Sequence, residues 1–162
     1  LLERLGIPFT TLPPGTPEDA VPGELPPDRA LRLSTAKAQA IALRRPDAVV
    51  IGSDQVAAIG SQILEKPGDA ARCRAQLATA SGSSARFHTG CALIGPRAGI
   101  RMVHMDTTTV LFRSLSTEEI ERYVERERPF LIETLCAVAE VRLVVPPEAP
   151  IDLTEAVEAR WR

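Results

Sequence analysis

Cysteine is scarce in this 162-residue chain: Cys73, Cys91 and Cys136 are an odd number, with no short spacing between any two. That excludes a disulfide framework and a zinc site built on cysteine pairs. A reduced, cytoplasmic setting is the expectation. Long apolar runs are also missing. The longest candidate, 131–145, is interrupted by Glu133, Glu140 and Arg142, so nothing approaches the ~20 residues that cross a bilayer. The opening Leu1-Leu2-Glu3-Arg4-Leu5-Gly6 lacks the basic-then-apolar order of a signal peptide. Charge of one sign is missing too. The 19 Lys+Arg against 21 Asp+Glu leave −2, which excludes a nucleic acid binder acting through a bulk basic field. Glycine vanishes after Gly99, so no phosphate cradle that needs close backbone approach is expected beyond it.

What is present suits a single α/β domain. Seven of the 14 prolines fall before residue 28, and residues 7–27 read as an irregular surface segment. Leu1–Gly6 reads as the last turn of a helix that began earlier. Residues 28–44 read as a helix capped by Asp28, with Ala30, Leu33, Lys37, Ala40 and Ile41 on one face. Lys37 there either snorkels past the core edge, the commoner case, or points at an anion.

The run Asp47 to Asp54 reads as a buried strand that ends in Gly52-Ser53-Asp54. Strand carboxyl ends are where such sheets bind ligands, so Asp54 is a functional candidate, or else a turn cap. Residues 56–59 and 62–65 read as a hairpin closed by Gly60-Ser61. Counting back along it pairs Ile59 with Gln62, Ala58 with Ile63, Gln55 with Lys66 and Asp54 with Pro67. A carboxylate, an amide and an ammonium then converge, either as a site or as an exposed ion pair of little energetic value.

Asp69 opens a helix with Ala70, Cys73, Leu77 and Ala80 buried, ended by Gly82; Cys73 reads as a core residue. Strands 86–94 and 100–113 flank Gly95-Pro96-Arg97-Ala98-Gly99. They carry His88 and His104, read as ordinary strand histidines. Ser116-Thr117-Glu118-Glu119 is a capping box with a Leu115/Ile120 staple, and its helix buries Ile120, Tyr123 and Val124. Residues 131–145 fit helix or strand, and 152–161 a short amphipathic helix.

Several separated motifs, in order, resemble the Maf family of nucleoside triphosphate pyrophosphatases. They are Ala36-Lys37-Ala38, Gly52-Ser53-Asp54-Gln55, Glu65-Lys66-Pro67, Thr89-Gly90 and Phe112-Arg113-Ser114-Leu115-Ser116, followed by Glu119-Ile120 and Tyr123. Ser-Asp-Gln in place of Ala-Asp-Thr is similar to the YceF-like branch, associated with 7-methyl-GTP. The resemblance implies an α/β fold with a mixed sheet and flanking helices. It implies hydrolysis of the α–β phosphate bond to monophosphate and pyrophosphate, with a divalent cation, Mg²⁺ or Mn²⁺. Asp54 would bind the metal or accept the water's proton. Lys66 and Lys37 would hold phosphate oxygens, and Gln55 would contribute to base selectivity. A nucleoside triphosphate is the implied partner, with no nucleic acid polymer, no membrane and a homodimer as the family often forms.

The departures set further expectations. The family's opening Ala-Ser-x-Ser-x-x-Arg-Arg strand precedes the point where this chain starts, and Ala36 stands where the family has Glu. The acidic pair after the first strands is reduced to Glu18. The family's Ala-Gly-x-x-x-x-Glu-Gly run has no counterpart after Pro129. These features divide the chain into a core over 1–130, lacking its first strand, and a divergent tail over 131–162. They lead to the expectation of an incomplete fold and reduced turnover, or an inactive nucleotide-binding relic.

Overall fold

A computed structural model of the chain describes residues 8–128 and the backbone of 143–145. Residues 8–24 contain no helix or strand, as proline density requires, and Leu12 packs onto the main core. Helix α1 then runs Pro26–Arg44. It starts earlier than the Asp28 cap expectation. Leu25 sits at the N-cap with no side-chain bond, and the prolines occupy the first turn, where a missing N–H costs nothing. Its buried face includes Ala30, Leu33, Ser34, Lys37, Ala38 and Ile41.

Strand β1 spans Val49–Ile59 without a break. The expectation of a strand ending at Gly52-Ser53-Asp54 is thus corrected: Asp54 lies mid-strand. The reason is packing against α1. A Cβ on Gly52 would come within 2.4 Å of the Ser34 carbonyl and 2.6 Å of the Ala38 nitrogen. Glycine here permits close helix–strand approach and does not mark a turn.

Strand β2, Gln62–Ile63, makes the expected pairs Ala58–Ile63 and Ile59–Gln62. The ladder then stops. Its last bond is Leu64 N–H to the Ala57 carbonyl, 2.8 Å. The extended register pairing Gln55 with Lys66 and Asp54 with Pro67 does not form, because 64–68 leaves the sheet.

Helix α2, Ala70–Ala80, is capped by Asp69, whose side chain accepts from Arg72 N–H at 2.8 Å. Strands β3, Ser84–Gly95, and β4, Ile100–Leu111, form a long antiparallel hairpin. Helix α3, Thr117–Glu127, carries the expected capping box between Ser116 and Glu119. Strand β5, Leu143–Val145, pairs antiparallel with Val49–Ile51, which places part of the ambiguous 131–145 stretch in the sheet. The expectations for 1–6, for the rest of 131–142 and for 152–161 lie outside the described residues.

The chain is therefore α/β. The sheet order is β2-β1-β3-β4, with β5 on the same edge of β1 as β2, and every described pairing is antiparallel. Between β5 and β2 that edge is left without a strand partner among the described residues from Gly52 to Val56. One apolar cluster joins α1 to β1 and β3 through Ile41, Val50, Ala92 and Ile94. A second joins α2 to α3 through Cys73, Ile120 and Val124, with Leu115 packed on it. Tyr123 stays 37% exposed, at the edge of that stripe and not within it.

Candidate functional site

The alternation of β1 points its even-numbered side chains at α1. Val50, Gly52 and Val56 are buried there, and Asp54 shares the face. Register along β3 puts Gly90 beside Asp54. A Cβ on Gly90 would sit 2.4 Å from the Ala30 carbonyl. Two glycines on adjacent strands thus let α1 lie close enough for Lys37 to reach Asp54.

Lys37 does not snorkel. Its side chain is 3% exposed, and its Nζ lies 2.6 Å from Asp54 Oδ1 and 2.7 Å from Glu18 Oε1. Asp54 is itself 12% exposed and Glu18 40%. One ammonium is therefore shared by two carboxylates. Burial pushes the Lys37 pKa down, but its hydrogen bonds to Asp54 and Glu18 outweigh this and raise it. The Asp54 carboxyl is pushed up, first by burial and further by the Glu18 charge, against the pull of Lys37. The two directions agree physically: the cation has two partners, while each anion has a share of one.

Arginines from the same helix hold the flanking segments. Arg32 grips Glu24 with two bonds of 2.6 and 2.8 Å and donates to the Asp19 carbonyl at 3.1 Å. This fixes the segment that delivers Glu18. Arg29 pairs with Glu65 through bonds of 2.5 and 3.3 Å. Sequence reasoning missed both arginines. Both lie on α1 within eight residues of Lys37, but their acidic partners are 8 and 36 residues away, beyond any local signal.

Gln55 points to the opposite face of the sheet from Asp54. Its Nε2 donates to Thr89 Oγ1 at 2.9 Å, and Thr89 is its cross-strand neighbour. Lys66 is exposed and has no hydrogen bond or ion pair among the described residues. The geometry therefore joins Lys37 and Asp54 directly, adds Glu18, and leaves Lys66 on a neighbouring segment.

The histidines behave as strand residues. His88 is buried with Nδ1 3.0 Å from Thr107 Oγ1, and burial lowers its pKa. His104 is exposed. Cys73 is buried and Cys91 half-buried, both free thiols, each with its pKa pushed up by burial; neither is an activated nucleophile.

The donor set fits a hard divalent cation in kind. Mg²⁺ takes one or two carboxylates and completes its shell with water and substrate oxygens; Asp54 and Glu18 are two carboxylates, and the point where they meet holds the Lys37 ammonium. A ready-made cluster of three or more ligating side chains is absent among the described residues. No described helix is long and apolar enough to cross a membrane.

A family model described as Maf-like protein matches residues 1–139. The chain is similar to a 7-methyl-GTP pyrophosphatase of Aromatoleum aromaticum, 48% identical over 129 residues, 80% of this chain and 66% of the relative. It is similar to another from Alkalilimnicola ehrlichii, at 46% over 129 residues, 80% and 65% respectively. A third, from Xanthomonas axonopodis pv. citri, is 48% identical over 128 residues, 78% and 66%. The chain thus spans just under two thirds of the length of these relatives.

Proposed function

From the chain's membership of the Maf-like family we propose that it is a nucleoside triphosphate pyrophosphatase, with 7-methyl-GTP as its substrate. Water is added across the α–β anhydride, releasing a nucleoside monophosphate and pyrophosphate. Relatives of this name support the substrate. The observation that carries the chemistry is the Glu18–Lys37–Asp54 cluster around the buried Lys37 ammonium.

Asp54 is the residue for taking the proton of the attacking water. A carboxyl pushed upward by burial is a better base near neutral pH than an ordinary one. Lys37 cancels one of the two carboxylate charges, which lessens the repulsion that an anionic substrate would meet. Its role is thus first to hold Asp54 and only through it to serve the phosphates. Lys66, exposed on the segment after β2, is the cation open to phosphate oxygens. Gln55 would read the base, with its amide oriented by Thr89. Asp54 would hold Mg²⁺ or Mn²⁺, a cation that would supply charge neutralisation for the phosphates. Pairing of two copies belongs to the same reading. A concentration series by sedimentation tests the pairing.

The deciding experiment measures pyrophosphate release by this chain with Mg²⁺ or Mn²⁺, across triphosphates that include 7-methyl-GTP. Release is expected to be highest with 7-methyl-GTP and to fall at least ~100-fold in Asp54→Asn. No release from a chain that still melts cooperatively would overturn the enzyme and leave a nucleotide-binding relic. Retained release in Asp54→Asn would remove Asp54 from its role.

A further inference from the structure

Lys66 sits in a segment that has left the sheet, yet the segment is held at both sides of the preceding residue. The Glu65 carboxylate receives the two-pronged Arg29 guanidinium, at 2.5 and 3.3 Å. The Glu65 carbonyl accepts from Gln76 Nε2 at 2.6 Å. Gln76 belongs to α2 and Arg29 to α1, so Glu65 is fixed between two helices by its side chain and its backbone. Pro67, on the other side of Lys66, is buried. Lys66 is thus an exposed residue on an anchored backbone.

Arg29 is an unusual choice for the anchor. Its side chain is 12% exposed, whereas that of Glu65 is 62% exposed, and the Arg29 Nε is buried with no hydrogen-bond partner among the described residues. Burying a guanidinium with one donor unsatisfied costs free energy, and a half-exposed pair returns little of it. Stability alone does not account for the arrangement. Arg29 also precedes Lys37 by two helical turns, about 12 Å along the axis, and its charge is felt at Asp54. The same helix therefore carries both Lys37 and the group that holds the Lys66 segment.

We propose that Arg29 is a positioning residue, which through Glu65 fixes Lys66 relative to the Asp54 cluster so that it meets the substrate's phosphates. The proposal rests on the reading of Lys66 as a phosphate contact. A planar guanidinium suits this task because it fixes the carboxylate's orientation as well as its distance.

The test compares Arg29→Ala, Glu65→Ala, the double variant, and each in a Lys66→Ala background. Pyrophosphate release from 7-methyl-GTP and backbone hydrogen exchange are the two readouts. Each single variant is expected to raise KM about tenfold with kcat changed less than about twofold, and the double variant to be no worse than either. In the Lys66→Ala background neither is expected to cost anything further. Amide exchange at Leu64, whose N–H donates to the Ala57 carbonyl, is expected to quicken alike in both singles. Arg29→Lys, a point charge without the fork, is expected to recover only part of the loss. Glu65 is exposed, so Glu65→Ala keeps the fold and remains informative if Arg29→Ala does not. An effect of Arg29→Ala that Glu65→Ala lacks would overturn the proposal, since Arg29 would then act on Asp54 directly. Unchanged exchange at Leu64 would overturn it too. If the unaltered chain shows no turnover, the enzymatic reading falls, and the exchange comparison alone decides whether the anchor exists.

Discussion

At the scale of single residues, Lys37 shows how one buried cation is kept charged. Losing water drives it toward neutrality, and two carboxylates drive it back. Its raised pKa means that this stabilisation is complete below the ordinary lysine value of 10.5 and is lost as pH rises through the raised folded value. Asp54 works in the opposite sense, because its raised carboxyl makes ionisation a burden on the fold that is relieved as pH falls. Replacing Lys37 by Met leaves Asp54 buried beside Glu18 without a cation. We expect a loss of about 3 kcal/mol at pH 8, read from chemical denaturation. The loss should shrink toward pH 5 as Asp54 takes up a proton, and a pH-independent loss would contradict this account. Position in sequence pointed to Asp54 and Lys37 as separate candidates. That they share a third partner, Glu18, depends on a segment without regular structure, which no periodicity describes.

At the scale of elements, α3 was legible except for the exposed Tyr123, and β1 was not. The capping box of Ser116 and Glu119 is local, with its partners three residues apart, so sequence spacing specifies it. Glu119 also accepts two bonds from Arg113, and these first, then the Ser116 backbone, hold its carboxyl down at about 2. A depressed carboxyl stabilises above its ordinary value of 4.5, and that contribution is lost as pH falls toward 2. Glu119→Gln should therefore lower the melting temperature at pH 7 but make little difference near pH 2. An equal difference at both pH values would refute the assignment.

Strand β1 misleads because Gly52-Ser53-Asp54 carries turn chemistry inside a strand. Only the presence of α1 explains it, and α1 meets the sheet through contacts distant in sequence. Gly90 makes the same point from the neighbouring strand. A Cβ there would meet Ala30 backbone at 2.4 Å, and backbone cannot swing aside. Gly90→Ala is expected to cost about 3 kcal/mol or more and to weaken the Lys37–Asp54 pair as α1 is pushed away. A melting temperature equal to that of the unaltered chain would show that α1 yields freely.

At the scale of the molecule, the two apolar clusters are unequal. The sheet and α1 share one, and α2 with α3 share a smaller one centred on Cys73. Small clusters open at lower free energy than the main core. Cys73 is fully buried, so its labelling by a thiol reagent reports that opening. We expect Cys73, identified by peptide mass, to label at a denaturant concentration below the midpoint at which β1 and β3 amides lose protection. Coincident transitions would mean that both clusters unfold as one. The chain's α/β class was legible from strand and helix patterns. The edge of β1 between β5 and β2, with Asp54 at its middle, was not, because register depends on where a partner strand stops.

The ion pairs of the site each bridge distant stretches of chain: Glu18 to Lys37, Lys37 to Asp54, Arg29 to Glu65. Closing those loops costs entropy before any charge is matched, so the apolar contact of α1 with the sheet must come first and the ion pairs last. A ligand that engages this cluster finds it only in the finished chain. Its binding then feeds back on folding by mass action, adding about 2.7 kcal/mol at a hundred times its Kd. Abundance of such a ligand would thereby govern how long each copy of the protein escapes proteolysis, independently of how fast any copy turns over.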